Sequence, residues 1–216
     1  MPIIEIILRQ LAGRGFDQIT LALFHMADRI QAELGDGADL GLRIDYSVAD
    51  RLLGTAGPLG LVDRPAEPCL VLNADILTNI DFAEVMARHR RDPAIATMVL
   101  CPYRVEVPFG VIEVHHDGGV QSFREKPAFD MVINTGIYVL DPAAWDKVPP
   151  GEYLEMNSLI DRGLAKERRI ATFLHRGDWL DVGTVESYER GSQIFRDHRE
   201  RYLPLEREQA MTVAAR

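Results

Sequence analysis

The chain has 216 residues, 47% of them hydrophobic and 26% charged, proportions of a globular protein with a buried core and not of a disordered or collagen-like one. That length fits one substantial domain. Asp and Glu number 33 against 24 Lys and Arg, a formal net charge of −9; with no local basic patch, this argues against nucleic acid or an anionic membrane as a partner.

In chain order, Ile3, Ile6, Ile7 and Leu11 recur at helical spacing behind Pro2, and Gly13 and Gly15 stop the run, so the sequence opens in a helix. Gln18 to Leu23 is a β-rich run, Ala27 to Leu34 a short helix ended by Gly35-Asp36-Gly37, and Leu42, Ile44 and Tyr46 alternate as in a strand with one buried face. A glycine-containing loop, Leu53 to Leu59, precedes Cys69-Leu70-Val71-Leu72, which reads as a strand buried on both faces. Asp75 lies just past its carboxyl end. Asp81 with Glu84 resembles a capping box for a helix whose inner stripe is Phe82, Val85, Met86 and His89, and Ala96 to Leu100 continues the alternation as a strand. This rhythm predicts a doubly wound, mostly parallel α/β sheet with ligands beyond the carboxyl ends of its strands.

The second half predicts a hairpin, Gly110 to Val114 and Val120 to Phe123 around Asp117-Gly118-Gly119, then a strand from Val132 to Leu140. A helix from Asn157 to Lys166, a strand from Ile170 to Leu174, the segment Trp179 to Val182 and a helix capped by Thr184 follow. No repeat or linker divides the chain: residues 1–197 read as one domain and 198–216 as a charged tail, frayed beyond Pro204.

Cys69 and Cys101 each sit in an apolar run without a CxxC partner, so both are expected as buried free thiols in a reducing, cytoplasmic setting. The apolar start is too short to cross a bilayer, is interrupted by Glu5 and Arg9 and has no basic leader, so neither a signal peptide nor a membrane anchor is expected.

Asp75 and Asp181 stand out because each follows an apolar strand, where two carboxylates can share a hard cation such as Mg²⁺ with substrate phosphates. Spacing alone favours turn formers or caps at such positions. Likewise, Gly54 and Gly57 read alone as loop glycines, with Thr55 capping a short helix near Pro58, and Lys126, Arg124 and Glu125 as a solvated charge cluster. Trp179 reads as core, and the His115-His116 pair as solvent-facing with no metal role.

The ordered series changes that balance. Leu53-Gly54-Thr55-Ala56-Gly57-Pro58-Leu59, Val71-Leu72-Asn73-Ala74-Asp75, Pro108-Phe109-Gly110-Val111, Phe123-Arg124-Glu125-Lys126-Pro127, Asn134-Thr135-Gly136-Ile137-Tyr138 and Trp179-Leu180-Asp181-Val182-Gly183 together resemble the motif series of the sugar-1-phosphate nucleotidylyltransferases, or NDP-sugar pyrophosphorylases. The resemblance extends nearly to the last helix. It implies a GT-A-like α/β fold and transfer of a nucleotidyl group from a nucleoside triphosphate to a sugar 1-phosphate, with Mg²⁺. By position, Gly54, Thr55, Ala56 and Gly57 match the segment near the nucleotide base, and Asp75 with Asp181 the metal pair at the triphosphate. Gly110 matches the glycine at the sugar, Glu125 a sugar-binding acid and Lys126 the cation that meets the sugar phosphate. Asn134 and Thr135 match contacts to sugar hydroxyls, and Glu155 a further contact on a weaker motif.

The Leu53–Leu59 loop looks most like members that use GTP and make GDP-mannose or GDP-heptose. A homo-oligomer is compatible with the sequence. The family's usual first strand, Gly-rich loop ending in Gly-Thr-Arg and Pro-Lys-Pro segment have no counterpart before Pro2. The expectation is that they lie upstream of Met1, in preference to being supplied by another chain, and that residues 1–216 alone are weakly active or inactive, since such loops cradle phosphates. A noncatalytic nucleotide-sugar-binding regulatory or scaffolding subunit is the rival reading. A glycosyltransferase of similar fold would carry a DxD motif, which Asn73-Ala74-Asp75 does not supply.

Overall fold

The computed structural model describes residues 1–164 and 169–203. The chain opens with α1 (Ile3–Gly13), β1 (Gln18–Leu23), α2 (Ala27–Leu34) and β2 (Arg43–Val48). The apolar stripe read in the sequence is the buried face of α1, comprising Ile3, Ile6, Ile7, Leu8 and Leu11. Then come β3 (Cys69–Leu72), β4 (Ile76–Thr78), α3 (Phe82–Arg90) and β5 (Ala96–Glu106). Asp81 caps α3 by accepting from the backbone N–H groups of Ala83 and Glu84. The hairpin is β6 (Val111–Val114) and β7 (Val120–Arg124), and β8 (Ala128–Leu140) follows. A short α4 (Met156–Ser158) continues into a wider helical turn over Leu159–Leu164. The predicted end of that helix, Ala165 to Lys166, lies outside the described residues, as does the tail beyond Leu203. The last elements are β9 (Ile170–Leu174), β10 (Trp179–Asp181), α5 (Val185–Asp197) and α6 (Arg199–Tyr202), with Thr184 and Ser187 forming a capping box on α5.

The α/β class stands, but the strand pairing is mixed and not mostly parallel. The central sheet runs β3-β8-β5-β9, with β8 antiparallel to both β3 and β5, and β9 parallel to β5. The late strand β8 enters between two early ones, a placement that helix–strand alternation cannot reveal. Two parallel strands, β1 and β2, form a separate pair, and β4 and β10 a short antiparallel one. Among the described residues no strand joins β1 to β3, although Ile19 of β1 and Leu70 and Leu72 of β3 pack on the same core as Ile7 and Leu11 of α1. Consequently β3 is half-buried, not enclosed on both faces as its apolar run predicts.

Strands β5 and β8 also outrun their predicted lengths. Beyond the last pairing with β9, at Leu100, they continue side by side as a projecting arm to the Glu106–Ala128 pair. Pro102 is tolerated there because one side of β5 has become an edge. Cys69 is half-buried and Cys101 buried, both as free thiols, as expected. No described helix is long and apolar enough to cross a membrane.

Candidate active site

Two strand ends bring the acids together. The short β4–β10 ladder pairs Ile76 with Asp181, and Val182 N–H donates to Asp75 O at 2.9 Å, which fixes Asp75 beside Asp181. Gly183 N–H donates to Asp181 Oδ1 at 2.8 Å. A Cβ on Gly183 would lie 3.1 Å from Asp181 Oδ1 and 3.3 Å from Asp75 Oδ2, so both carboxylates face one point. Both residues are exposed. Two like charges aimed at one spot repel until a cation sits between them, and a pair of this kind with open positions suits a hard divalent ion that also holds phosphate oxygens. No group of three or more His, Cys, Asp or Glu able to hold a metal exists among the described residues, so a cation here would draw its remaining ligands from substrate or water.

A bulge in β8 links the acids to the next group. Between the Met98–Tyr138 and Leu100–Asn134 pairs, β8 spends two more residues than β5, and Gly136 takes φ +76° there. A Cβ on Gly136 would stand 2.7 Å from Asn73 Nδ2, and Asn73 N–H donates to Gly136 O, so the bulge seats the loop that carries Asp75. Asn134 Oδ1 accepts from Gly136 N–H at 3.2 Å, and its Nδ2 donates to Tyr138 Oη and, at 3.4 Å, to Asn157 Oδ1. Burial raises the Tyr138 hydroxyl pKa, keeping it a neutral partner for Asn134.

Glycines set the third group. Gly54 has φ +74°, and a Cβ on it would fall 2.6 Å from Leu154 O; one on Gly57 would fall 2.4 Å from Glu152 O. This close approach lets Ala56 and Gly57 donate their N–H groups to Leu154 O. Thr55 Oγ1 donates to Glu155 Oε2 at 2.7 Å and accepts from Met156 N–H, at the start of α4, at 2.8 Å, so its hydroxyl joins two segments and does not cap the short helical turn at Gly57–Leu61 as expected. Glu155 also accepts from the Tyr153 hydroxyl; that bond and the one from Thr55 hold its carboxyl below the usual carboxylate range. Glu155 is therefore an oriented carboxylate, with Thr55 as the link between the predicted base loop and the predicted sugar side. Contacts link Thr55 to Glu155, and Asn157 through Asn134 and Gly136 to Asn73; the chain itself joins Glu155 to Asn157 and Asn73 to Asp75.

Gly110, Glu125 and Lys126 form a separate group at the base of the hairpin. A Cβ on Gly110 would meet the Phe123 ring at 2.8 Å and Glu125 Oε2 at 3.2 Å. Lys126 adopts φ +42°, a left-handed conformation rare for a side chain of its size, in the turn before β8. The predicted solvated cluster does not form, because Arg124 pairs with Glu113 at 3.0 Å and lies over the Phe129 ring. Among the described residues Glu125 and Lys126 have no hydrogen-bond or ion-pair partner, leaving both charges open to a ligand. No hydrogen bond or ion pair among them joins this group to Asn134 or Asp75.

Thr135 is placed differently from its expected role. It is 1% exposed and its hydroxyl donates to Val99 O at 2.8 Å, so its side chain serves the β5–β8 junction and is not presented to a sugar. Trp179 packs in the core as expected, its Nε1–H donating to Thr135 O. The exposed pair His115-His116 flanks the hairpin turn. Sequence reasoning missed Tyr153, Asn157 and Tyr138. The Tyr-x-Glu-x-Asn spacing at 153–157 was available as a signal, whereas the Tyr138 role depends on the bulge.

Residues 1–198 match the Nucleotidyl transferase family. Among curated proteins the chain is 30% identical over 211 residues to UTP–glucose-1-phosphate uridylyltransferase of Synechocystis sp., covering 87% of this chain and 53% of that one. It is 29% identical over 199 residues to mannose-1-phosphate guanylyltransferase of Mycobacterium tuberculosis, covering 89% and 55%. The chain thus spans about half the length of these relatives. The crystal structure of HddC from Yersinia pseudotuberculosis superposes with a TM-score of 0.65 at 21% identity, covering 88% of this chain and 84% of that one, which shows a shared fold.

Proposed function

The chain belongs to the nucleotidyl transferase family, and from that premise we propose that it serves transfer of a nucleotidyl group from a nucleoside triphosphate to a sugar 1-phosphate, giving an NDP-sugar and pyrophosphate. The observation that carries the reading is the convergence of Asp75 and Asp181 on one point beside Gly183. In the reaction a sugar-phosphate oxygen bonds to the α-phosphorus while the bond from that phosphorus to the bridging oxygen of pyrophosphate breaks. The nucleophile is already an anion, so no proton must be removed. The work left for the protein is positioning and charge neutralisation.

The paired carboxylates fit Mg²⁺, which takes one or two such groups together with substrate phosphates and, when bound, offsets the charge that builds on them. Asp75 and Asp181 would hold it. Lys126, with no partner among the described residues, neutralises the sugar phosphate. Glu125, Glu155 and Asn134 engage sugar hydroxyls, and Gly110 lets backbone approach the ring. Gly54 to Gly57 receive the base, with guanine favoured by the loop's resemblance to family members that use GTP and by the guanylyltransferase that stands among the relatives beside a uridylyltransferase.

The test is pyrophosphate release from a panel of nucleoside triphosphates and sugar 1-phosphates, with calorimetric titration of the same ligands and of NDP-sugars as a readout that does not need turnover. Mg²⁺-dependent binding that Asp75→Ala abolishes is expected, with GTP and a mannose-type sugar 1-phosphate preferred. Binding that is indifferent to both Mg²⁺ and Asp75→Ala would overturn the catalytic reading in favour of a nucleotide-sugar-binding subunit.

A further inference from the structure

The two acids of the site hang on a ladder of only three residue pairs, Ile76–Asp181, Leu77–Leu180 and Thr78–Trp179, and among the described residues β10 borders no strand but β4. The two sides of the ladder are not held alike. On β4, Ile76, Leu77 and Thr78 are 1–2% exposed and fixed in the core, whereas β10 is half-buried at Trp179 and Leu180 and open to solvent at Asp181. A strand this short, paired along one edge and partly exposed, keeps its place only if its ends are tied.

One end is tied at the site itself, where Val182 N–H donates to Asp75 O. The other is tied one pair beyond Thr78–Trp179, where Asn79 faces Asp178. Asp178 O accepts from the Thr78 hydroxyl at 2.8 Å and from Asn79 N–H at 3.3 Å, and His175 Nε2 lies 3.2 Å from it. The return bond from Asp178 N–H goes to Asn79 Oδ1 at 2.7 Å, so a side chain takes the part that a main-chain carbonyl plays in an ordinary antiparallel pair. Gly177 makes room for it: a Cβ there would fall 2.3 Å from Asn79 Oδ1 and 2.7 Å from His175 Cε1. The Asp178 side chain is engaged separately, accepting from the Tyr202 hydroxyl at 3.2 Å and pairing with Arg201 at 3.4 Å.

We propose that Asn79 is a positioning residue for the acid pair. Its bond to Asp178 N–H locks β10 onto β4, and that lock, three residues or ~10 Å along the strand from Asp181, sets where the Asp181 carboxylate stands against Asp75. Asn79 acts through the backbone of β10 and meets no ligand itself, and its role rests on the reading of Asp75 and Asp181 as a cation pair. A merely structural cluster would fasten α6 through Tyr202 and Arg201 and leave the acids indifferent to Asn79.

The two are separated by titration calorimetry of the full chain with the tightest-binding nucleoside triphosphate of the panel above, at stepped Mg²⁺, beside thermal melts. For Asn79→Ala the Mg²⁺ midpoint should rise roughly three- to tenfold, short of the ~10–100-fold typical when a group bonded directly to a metal ligand is lost, with nucleotide affinity at saturating Mg²⁺ within about twofold of the wild type. Asn79→Asp, which keeps an acceptor oxygen, should return the midpoint to the wild-type value. Gly177→Ala removes no hydrogen-bonding group but drives a methyl into the lock, and should raise the midpoint in the same way; because Gly177 is exposed, this variant carries the test if Asn79→Ala does not fold. Tyr202→Phe should lower the melting temperature and leave the midpoint unmoved. A wild type whose binding ignores Mg²⁺ overturns the reading of the acid pair, and this role with it. With a Mg²⁺-dependent wild type, an unmoved midpoint in Asn79→Ala, no recovery in Asn79→Asp, or a midpoint displaced as far in Tyr202→Phe as in Asn79→Ala overturns the role of Asn79 alone.

Discussion

Substitution of Gly183 by alanine tests the proposed metal pair without removing either acid. Gly183 does not occupy the left-handed region, so alanine is compatible with its backbone, and by lowering the conformational entropy of the unfolded chain alanine favours the folded state by ~0.4–1 kcal/mol. Stability should therefore hold or rise slightly. The added methyl would meet Asp181 Oδ1 at 3.1 Å and Asp75 Oδ2 at 3.3 Å, tighter than ordinary contact, and the carboxylates must yield by a few tenths of an ångström. Turning a side chain about 30° from its preferred rotamer costs ~0.5–1.5 kcal/mol. Because 1.4 kcal/mol is about tenfold in affinity, the Mg²⁺ concentration at half-maximal nucleotide binding should rise by roughly two- to tenfold. Titration calorimetry at stepped Mg²⁺, beside a thermal melt, reads both quantities, with Asp75→Asn as the larger reference perturbation. An unchanged Mg²⁺ midpoint in Gly183→Ala, or a lowered melting temperature with no change in Mg²⁺ dependence, would refute the idea that the two acids share a cation beside this glycine.

Thr55→Val keeps the shape of the side chain but leaves Met156 N–H without its partner and Glu155 Oε2 with only the longer 3.4 Å bond from the backbone N–H of residue 55. An unsatisfied polar group costs ~1–3 kcal/mol, reduced here by solvent access, so a melting temperature lower by a few degrees is expected, together with weaker sugar 1-phosphate binding. His89 is buried, with Nδ1 2.9 Å from the Thr97 hydroxyl, and desolvation lowers its pKa below the usual 6.5 despite the opposing pull of Asp141 and Asp92. The unfolded chain then binds more protons than the folded one just below pH 6.5, so stability should fall as pH drops from 6.5 toward the lowered value; urea melts should show a flatter slope there for His89→Gln. Burial pushes the Cys69 thiol up to about 11. At pH 8 an aromatic disulfide reagent should react with it slowly in the native protein and fully once denaturant is added.

The elements built from local patterning were largely legible. The stripe of α1, the Asp81 and Thr184 caps and the hairpin about Gly118 follow from periodicity and turn chemistry that act within a few residues. What escaped depends on contacts distant in sequence. The entry of β8 between β3 and β5 is decided by tertiary packing, and the bulge at Gly136 interrupts a run that alternates well enough to pass for an unbroken strand. The same limit applied at the site. Asp75 and Asp181 were identifiable from ordered motifs, but that Thr55 and Glu155 bond to each other across a hundred residues was not. Thr135, adjacent to Asn134 in the same motif, turns its hydroxyl to Val99 because neighbouring strand residues point to opposite faces. Motif membership therefore does not say which of two neighbours meets a ligand.

The kink in β8 has an architectural consequence. On one side of it the strand is anchored in the core at Leu140; on the other it runs out along the arm to the turn that holds Glu125 and Lys126. One backbone joint thus sets the span between the cation at the outer end and the paired acids at the inner end, much as the pivot of a pair of calipers sets the gap between its jaws. On the function proposed above, a change in the length of that joint would move the turn that carries Lys126 relative to the acids, and with it the size of substrate the site admits.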